Sequence, residues 1–115
     1  MIKKISNIEA DTDLFLLIKD NKKAGLDQLY DCYGCTLYGL AIRAVHSQEY
    51  AEEIVKLTFF KVWNHIDLFK NQKNSMCIWV IQNLILAIQE FLTSKNIGYH
   101  FKTDNFPDFS FEWVE

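Results

Sequence analysis

Residues 51–63 read AEEIVKLTFFKVW, and their apolar side chains recur every three or four positions. This spacing is typical of an amphipathic helix, which repeats every 3.6 residues, and not of a strand, which alternates every two. Ser47 precedes the stretch and has a side chain that commonly caps the start of a helix. The sequence therefore predicts an aromatic-rich helix that begins at about Ser47.

The segments on both sides of this helix show the same spacing. Residues 11–94 contain no proline and little glycine, so strands are improbable there. A short helix is predicted to begin after the capping residues 11–13, and a longer helix covers residues 26–44. A polar loop at 70–74 separates the third helix from a fourth at 75–94. The body of the chain is therefore predicted to be helical.

The fourth predicted helix and the residues after it have unusual compositions. Residues 76–92 contain no Lys or Arg, so we expect this helix to be buried on most sides. After Lys95 the chain has six aromatic residues spaced among acids: Tyr99, Phe101, Phe106, Phe109, Phe111 and Trp113. We divide the chain into a helical domain, 1–95, and an aromatic-acidic tail, 96–115. We hypothesise that the tail folds back over the apolar surface of the fourth helix.

Length and composition limit the class of protein. The chain has 115 residues, of which 50% are hydrophobic, so it can bury one core without disulfides or metal. Its three cysteines are interpreted as reduced thiols, and no stretch free of polar residues approaches the roughly 20 that span a bilayer. A cytoplasmic protein is predicted. The net charge of −3 and the pI of about 5.6 argue against autonomous DNA binding.

The ordered series of segments resembles region 2 of the extracytoplasmic-function sigma factors of bacterial RNA polymerase. In that family the first helix opens with an acid and a leucine pair. The second helix has the pattern LY..Y...LY..A.R, the third has AED.VQE.F.KVW, and the fourth begins with S...WL. The resemblance runs without insertion or deletion from Asp13 to about Leu92. The matching residues are Asp13, Leu16, Leu17, Leu29, Tyr30, Tyr33, Leu37, Tyr38, Ala41, Arg43, Ala51, Glu52, Ile54, Val55, Phe59, Lys61, Val62, Trp63, Phe69, Ser75 and Trp79.

The resemblance implies a fold, a function and two binding surfaces. The implied fold is an all-α, three- to four-helix bundle, and the implied function is transcription initiation without enzymatic activity. Partners would be the β′ clamp helices of core RNA polymerase, promoter DNA and an anti-sigma regulator. The polymerase-binding residues would be Glu53, Lys56, Leu57 and Phe60. The DNA-binding residues would be Lys61, Asn64, Lys70, Asn71, Lys73, Asn74, Trp79, Gln82 and Asn83.

The chain departs from the family pattern on those same surfaces. Lys56 and Leu57 replace a glutamine and an acid in the third helix, which changes the charge that a partner would meet. Ile85 and Leu86 stand where the family carries an Arg-Asn pair, and Thr93 stands where it carries a basic residue. The 115 residues contain no helix-turn-helix domain of the kind that follows region 2 in the family. An alternative is therefore a protein-binding module that no longer opens promoters and that either self-associates or binds a regulator through its apolar fourth helix.

Other chemical patterns are weak. Cys32 and Cys35 form a lone C-x-x-C inside a predicted helix, which leaves a metal or redox role as a third and minor alternative. No nucleophile has a recognisable base nearby and there is no phosphate-binding glycine loop, so no catalysis, metal or cofactor is predicted. Trp63 and Trp79 lie on apolar stripes, where core packing is expected, although Trp79 also adjoins the polar loop.

Overall fold

The computed structural model describes residues 16–66 and 75–114, except for the side chain of Lys22. Residues 16–20 are helical and lead into three longer helices. These are α1 (Lys22–Val45), α2 (Gln48–Asn64) and α3 (Met76–Ser94), and they are followed by strands β1 (Gly98–Asn105) and β2 (Asp108–Val114). The prediction of a mostly helical chain is confirmed for these residues.

Each long helix begins at a side-chain cap. Asn21 accepts a hydrogen bond from the backbone amide of Ala24, at 3.2 Å, and starts α1. Ser47 accepts from the amide of Tyr50 at 3.2 Å, and Ser75 accepts from the amide of Ile78 at 3.3 Å. The predicted helix starts at the two serines are therefore confirmed, because these side chains satisfy amides that the helix itself leaves unpaired.

The short helical segment 16–20 packs closely on α1. A Cβ atom added to Gly25 would lie 2.4 Å from the backbone Cα atom of Ile18, so only glycine permits this contact. Ile18 itself is fully buried in the core. The glycine therefore sets how closely the first described residues approach α1.

Helix α3 is the central element of the core. Twelve of its residues are buried, which confirms the prediction that it is covered on most sides. By length and composition alone, this helix could cross a membrane. In the fold, however, 67% of its apolar stretch is buried by the rest of the protein. This burial is the pattern of a core helix.

The all-α prediction is wrong for the tail, because β1 and β2 form an antiparallel hairpin. Tyr99 and Phe101 in β1 are two positions apart, as are Phe109, Phe111 and Trp113 in β2, so these rings project from one face of the ribbon. Tyr99 lies opposite Trp113, and Phe101 lies opposite Phe111 with 5.1 Å between ring centroids. The spacing of two between these aromatic residues is visible in the sequence. In a strand it places the rings on one face, whereas in a helix it would place them on different sides.

The hairpin packs back on the helices, as the tail hypothesis expected. Phe111 is buried in the common core. Tyr50, at the start of α2, contacts Phe91 of α3 at 4.9 Å and Trp113 of β2 at 6.4 Å between ring centroids. The ammonium group of Lys95 lies 5.6 Å from the ring centre of Tyr50. The contacts involve α1 as well as α3, so the hairpin covers more than the fourth predicted helix alone.

Candidate protein-binding surface on α1 and α2

The four residues assigned to polymerase binding share one side of α2, which we call its outer face. Glu53, Lys56, Leu57 and Phe60 follow the spacing i, i+3, i+4 and i+7, which places them together on a helix. Glu53 and Lys56 are exposed, Leu57 is half-buried, and Phe60 leaves 61% of its surface in solvent. The outer face therefore combines one large apolar side chain with two opposite charges.

The core holds α2 in this orientation. Ile54, Thr58 and Val62 lie on the opposite side of the helix and are completely buried. The hydroxyl of Thr58 donates a hydrogen bond to the carbonyl oxygen of Ile54, at 2.8 Å, which satisfies the polar group inside the core. Because this buried side is tightly packed, the outer face cannot turn inward without breaking the core.

A groove of about 740 Å³ runs beside the outer face, between α1 and α2. The two helices run antiparallel, since only His46 and Ser47 separate them and the Tyr30 ring lies 5.3 Å from the Phe59 ring. The residues that line this α1–α2 groove are Leu26, Asp27, Tyr30, Gly34, Cys35, Tyr38, Glu52, Val55, Lys56, Phe59, Phe60 and Trp63. Lys56 and Phe60 belong to both the groove and the outer face.

Two aromatic residues of the groove, Trp63 and Tyr30, are more exposed than core residues. Trp63, predicted to pack in the core, is 39% exposed, and Tyr30 is 58% exposed. A signal for this was present in the sequence. Val55, Phe59, Phe60 and Trp63 extend the apolar surface of α2 well beyond a single core-facing stripe, so one core could not cover all of it.

The predicted DNA-binding residues do not form one exposed surface. Trp79 and Asn83 are buried, with 6% and 7% of their surfaces exposed, so the assignment of these two to DNA contact is corrected for this folded state. The amide of Asn83 donates a hydrogen bond to the carbonyl oxygen of Trp79, at 2.9 Å. That bond satisfies a polar group inside an apolar core. The core role that the sequence favoured for Trp79 fits this position.

The remaining DNA-binding candidates have mixed environments. Asn64 is exposed and Gln82 is half-buried. The Lys61 side chain is only 15% exposed and forms an ion pair with Glu90 of α3. The other four predicted residues, Lys70, Asn71, Lys73 and Asn74, lie outside the described residues. The positive charge of Lys61, which the resemblance assigns to DNA, is therefore already paired with a carboxylate of the same chain.

The cysteines and histidines do not gather into a site within residues 16–66 and 75–114. These ranges contain no group of three or more His, Cys, Asp or Glu residues that could hold a metal ion. Cys32, Cys35 and Cys77 form no disulfide bond, and Cys35 is exposed in the α1–α2 groove. The Nδ1 atom of His65 lies 2.9 Å from the carbonyl oxygen of Lys61, at the end of α2.

No protein-family model, curated protein or solved structure matches this chain. Its function is therefore inferred from the outer face of α2 and from the α1–α2 groove.

Proposed function

We propose that this chain is a sigma-like transcription initiation protein of the cytoplasm, which binds core RNA polymerase through the outer face of α2. One observation carries the proposal. The residues that the resemblance assigns to polymerase lie together on an exposed helix face, with Phe60 at its edge. The chain would act as a non-enzymatic subunit that directs polymerase to promoter DNA.

The chemistry of the outer face supports a protein partner. Burying the exposed part of Phe60 would contribute about 1–2 kcal/mol, because apolar area removed from water stabilises a complex. Glu53 and Lys56 flank the ring and would select a partner with complementary charges. An aromatic anchor surrounded by polar groups is the arrangement that dominates the energetics of many protein interfaces.

A second candidate is a sigma-like protein-binding module that no longer opens promoters. The burial of Trp79 and Asn83 and the pairing of Lys61 with Glu90 favour it, because they remove described groups that would hold a melted strand. The net charge of −3 favours it too, since phosphate contacts require a local positive field. Such a module would bind a second copy of itself or a regulator and would not require polymerase.

The test is binding of the purified chain to bacterial core RNA polymerase, followed by competition with a housekeeping sigma factor. Phe60→Ser and Lys56→Glu should each weaken binding roughly tenfold, which corresponds to about 1.4 kcal/mol. Phe101→Ser changes an exposed ring on the hairpin and should leave binding unchanged. The proposal would be contradicted if excess housekeeping sigma did not displace the chain from polymerase, or if neither α2 variant changed the affinity.

A promoter fragment with a melted bubble then separates the two candidates. Capture of the bubble by the complex of chain and polymerase, beyond that by polymerase alone, supports a promoter-opening factor. Failure of the chain to bind polymerase, or polymerase binding without added capture, supports the protein-binding module.

A further inference from the structure

The length of the α1–α2 groove matches a short helix. Its α1 wall runs from Leu26 to Tyr38, about 18 Å at 1.5 Å per residue, and its α2 wall runs from Glu52 to Trp63, about 16 Å. Three turns of helix have the same length. A groove between two antiparallel helices is also the shape in which a third helix packs.

The walls of the groove provide the apolar contacts that such a helix requires. Leu26, Tyr30, Gly34 and Tyr38 are spaced every four residues and form one ridge of α1. Gly34 is buried beneath the ring of Tyr30, since a Cβ atom there would lie 3.2 Å from that ring. The facing wall contributes Phe59 and other apolar residues of α2. Two apolar walls of this kind can hold the apolar stripe of an approaching helix.

Three charged side chains line the groove: Asp27, Glu52 and Lys56. Asp27 is beside Tyr30, whose ring contacts Phe59 in the second half of α2, whereas Glu52 lies in the first half of α2, one helical turn before Lys56. Asp27 forms an exposed ion pair with Lys23, at 3.8 Å, and Glu52 accepts a long hydrogen bond from Gln48, at 3.4 Å. The two acids therefore lie toward opposite ends of the groove and outnumber its single lysine, and both are exposed to a cation of a partner.

We infer that the α1–α2 groove binds a three-turn amphipathic helix of a partner protein, with an apolar stripe along the groove and basic residues near both ends. The two acids and single lysine of the lining complement a basic helix better than they complement a second copy of the same groove. The inference does not require polymerase binding, because Tyr30 and Asp27 lie on α1 and outside the outer face of α2.

The experiment uses two synthetic peptides of about three helical turns. Both carry leucines at i, i+4, i+7 and i+11. One has arginines at both ends, and the other has glutamates at the same positions. Binding to the full chain is followed by the fluorescence of Trp63, in a variant where Trp79 and Trp113 are both changed to Phe, and by amide chemical shifts of the unmodified chain.

The basic peptide should bind roughly tenfold more tightly than the acidic one. Tyr30→Ser should weaken the basic peptide by a similar factor, while Phe101→Ser on the hairpin should have no effect. The double variant Asp27→Asn/Glu52→Gln should remove the preference for the basic peptide. It changes only exposed side chains, so it tests the charge requirement without altering the core.

Three results would overturn the inference. Equal binding of the two peptides would show that the acids play no part. Binding unaffected by Tyr30→Ser, with shifts confined to the hairpin, would locate the peptide elsewhere. If the chain formed dimers without any peptide, and Tyr30→Ser abolished them, the occupant of the groove would be a second copy of the chain. Because Tyr30 lies outside the outer face, Tyr30→Ser should still bind core polymerase if the proposed function is right, so the two ideas fail separately.

Discussion

The ammonium group of Lys61 in α2 donates a hydrogen bond to the carboxylate of Glu90 in α3, although the residues are 29 positions apart in the sequence. This ion pair joins the helix that carries the proposed polymerase surface to the central core helix. It also neutralises the lysine that the sigma resemblance assigns to DNA. The same pair therefore links the packing of α2 on α3 to the charge that Lys61 could offer to DNA under the proposed function.

Glu90→Gln should release Lys61 and raise affinity for a melted promoter fragment. A free lysine adds about one phosphate contact, so the gain should be larger at low salt than at high salt. Stability should fall by less than about 1 kcal/mol, because Glu90 is 58% exposed and pairs of this kind contribute little. Fluorescence anisotropy over a salt series measures the affinity.

Glu112→Gln is the matched control, because it makes the same charge change on the hairpin. An equal rise in affinity for both variants would indicate a general effect of net charge. In that case the Lys61–Glu90 pair would not limit DNA binding.

Gly25→Ala should destabilise the fold by about 1–3 kcal/mol, because the new methyl group would collide with the backbone of Ile18. Gly39→Ala is the control in the same helix. An added Cβ there meets nothing within 4 Å, so this variant should gain up to about 1 kcal/mol from helix propensity. Urea unfolding followed by circular dichroism measures both. If the two variants had the same free energy of unfolding, residues 16–20 would not pack at Gly25.

Phe111→Ala and Phe101→Ala compare two rings that face each other across the hairpin. Phe111 is 6% exposed and packs in the helical core, so its loss should cost about 3 kcal/mol or more. Phe101 is 36% exposed, and its loss should cost about 1 kcal/mol. Amide hydrogen exchange in β1 should accelerate strongly only in the first variant. Similar exchange in both would show that the hairpin is not anchored through Phe111.

Trp79 should be insensitive to nucleic acid. In a variant with Trp63→Phe and Trp113→Phe, the remaining indole should emit at short wavelength and resist quenching by iodide, because it is buried in the core. Adding single-stranded promoter DNA should leave this emission unchanged. Strong quenching by DNA would instead support the DNA contact that the sigma resemblance implies for Trp79.

Local interactions made a large part of the fold predictable. Ser47 and Ser75 start helices because their side chains bond to amides within the next turn, and such a contact depends only on neighbouring residues. The burial of α3 followed from its composition, since a helix apolar on most sides has to be covered by other elements. The hairpin was not predicted, because the aromatic alternation covers only two short runs and a strand forms from each only when the two pair.

The candidate surfaces depended on contacts between distant residues. The helical spacing of α2 could place its aromatic residues on an apolar surface, but only packing decided that Thr58 is buried while Trp63 lines an open groove. Lys61 pairs with Glu90 across α2 and α3, and the sequence of neither helix alone indicates how close the two helices lie. The sequence by itself determined where α2 and α3 begin and that α3 is buried, because those depend on short-range bonds and composition. The tertiary structure alone decided which aromatic rings stay exposed and which charges are paired, because both depend on how the helices pack.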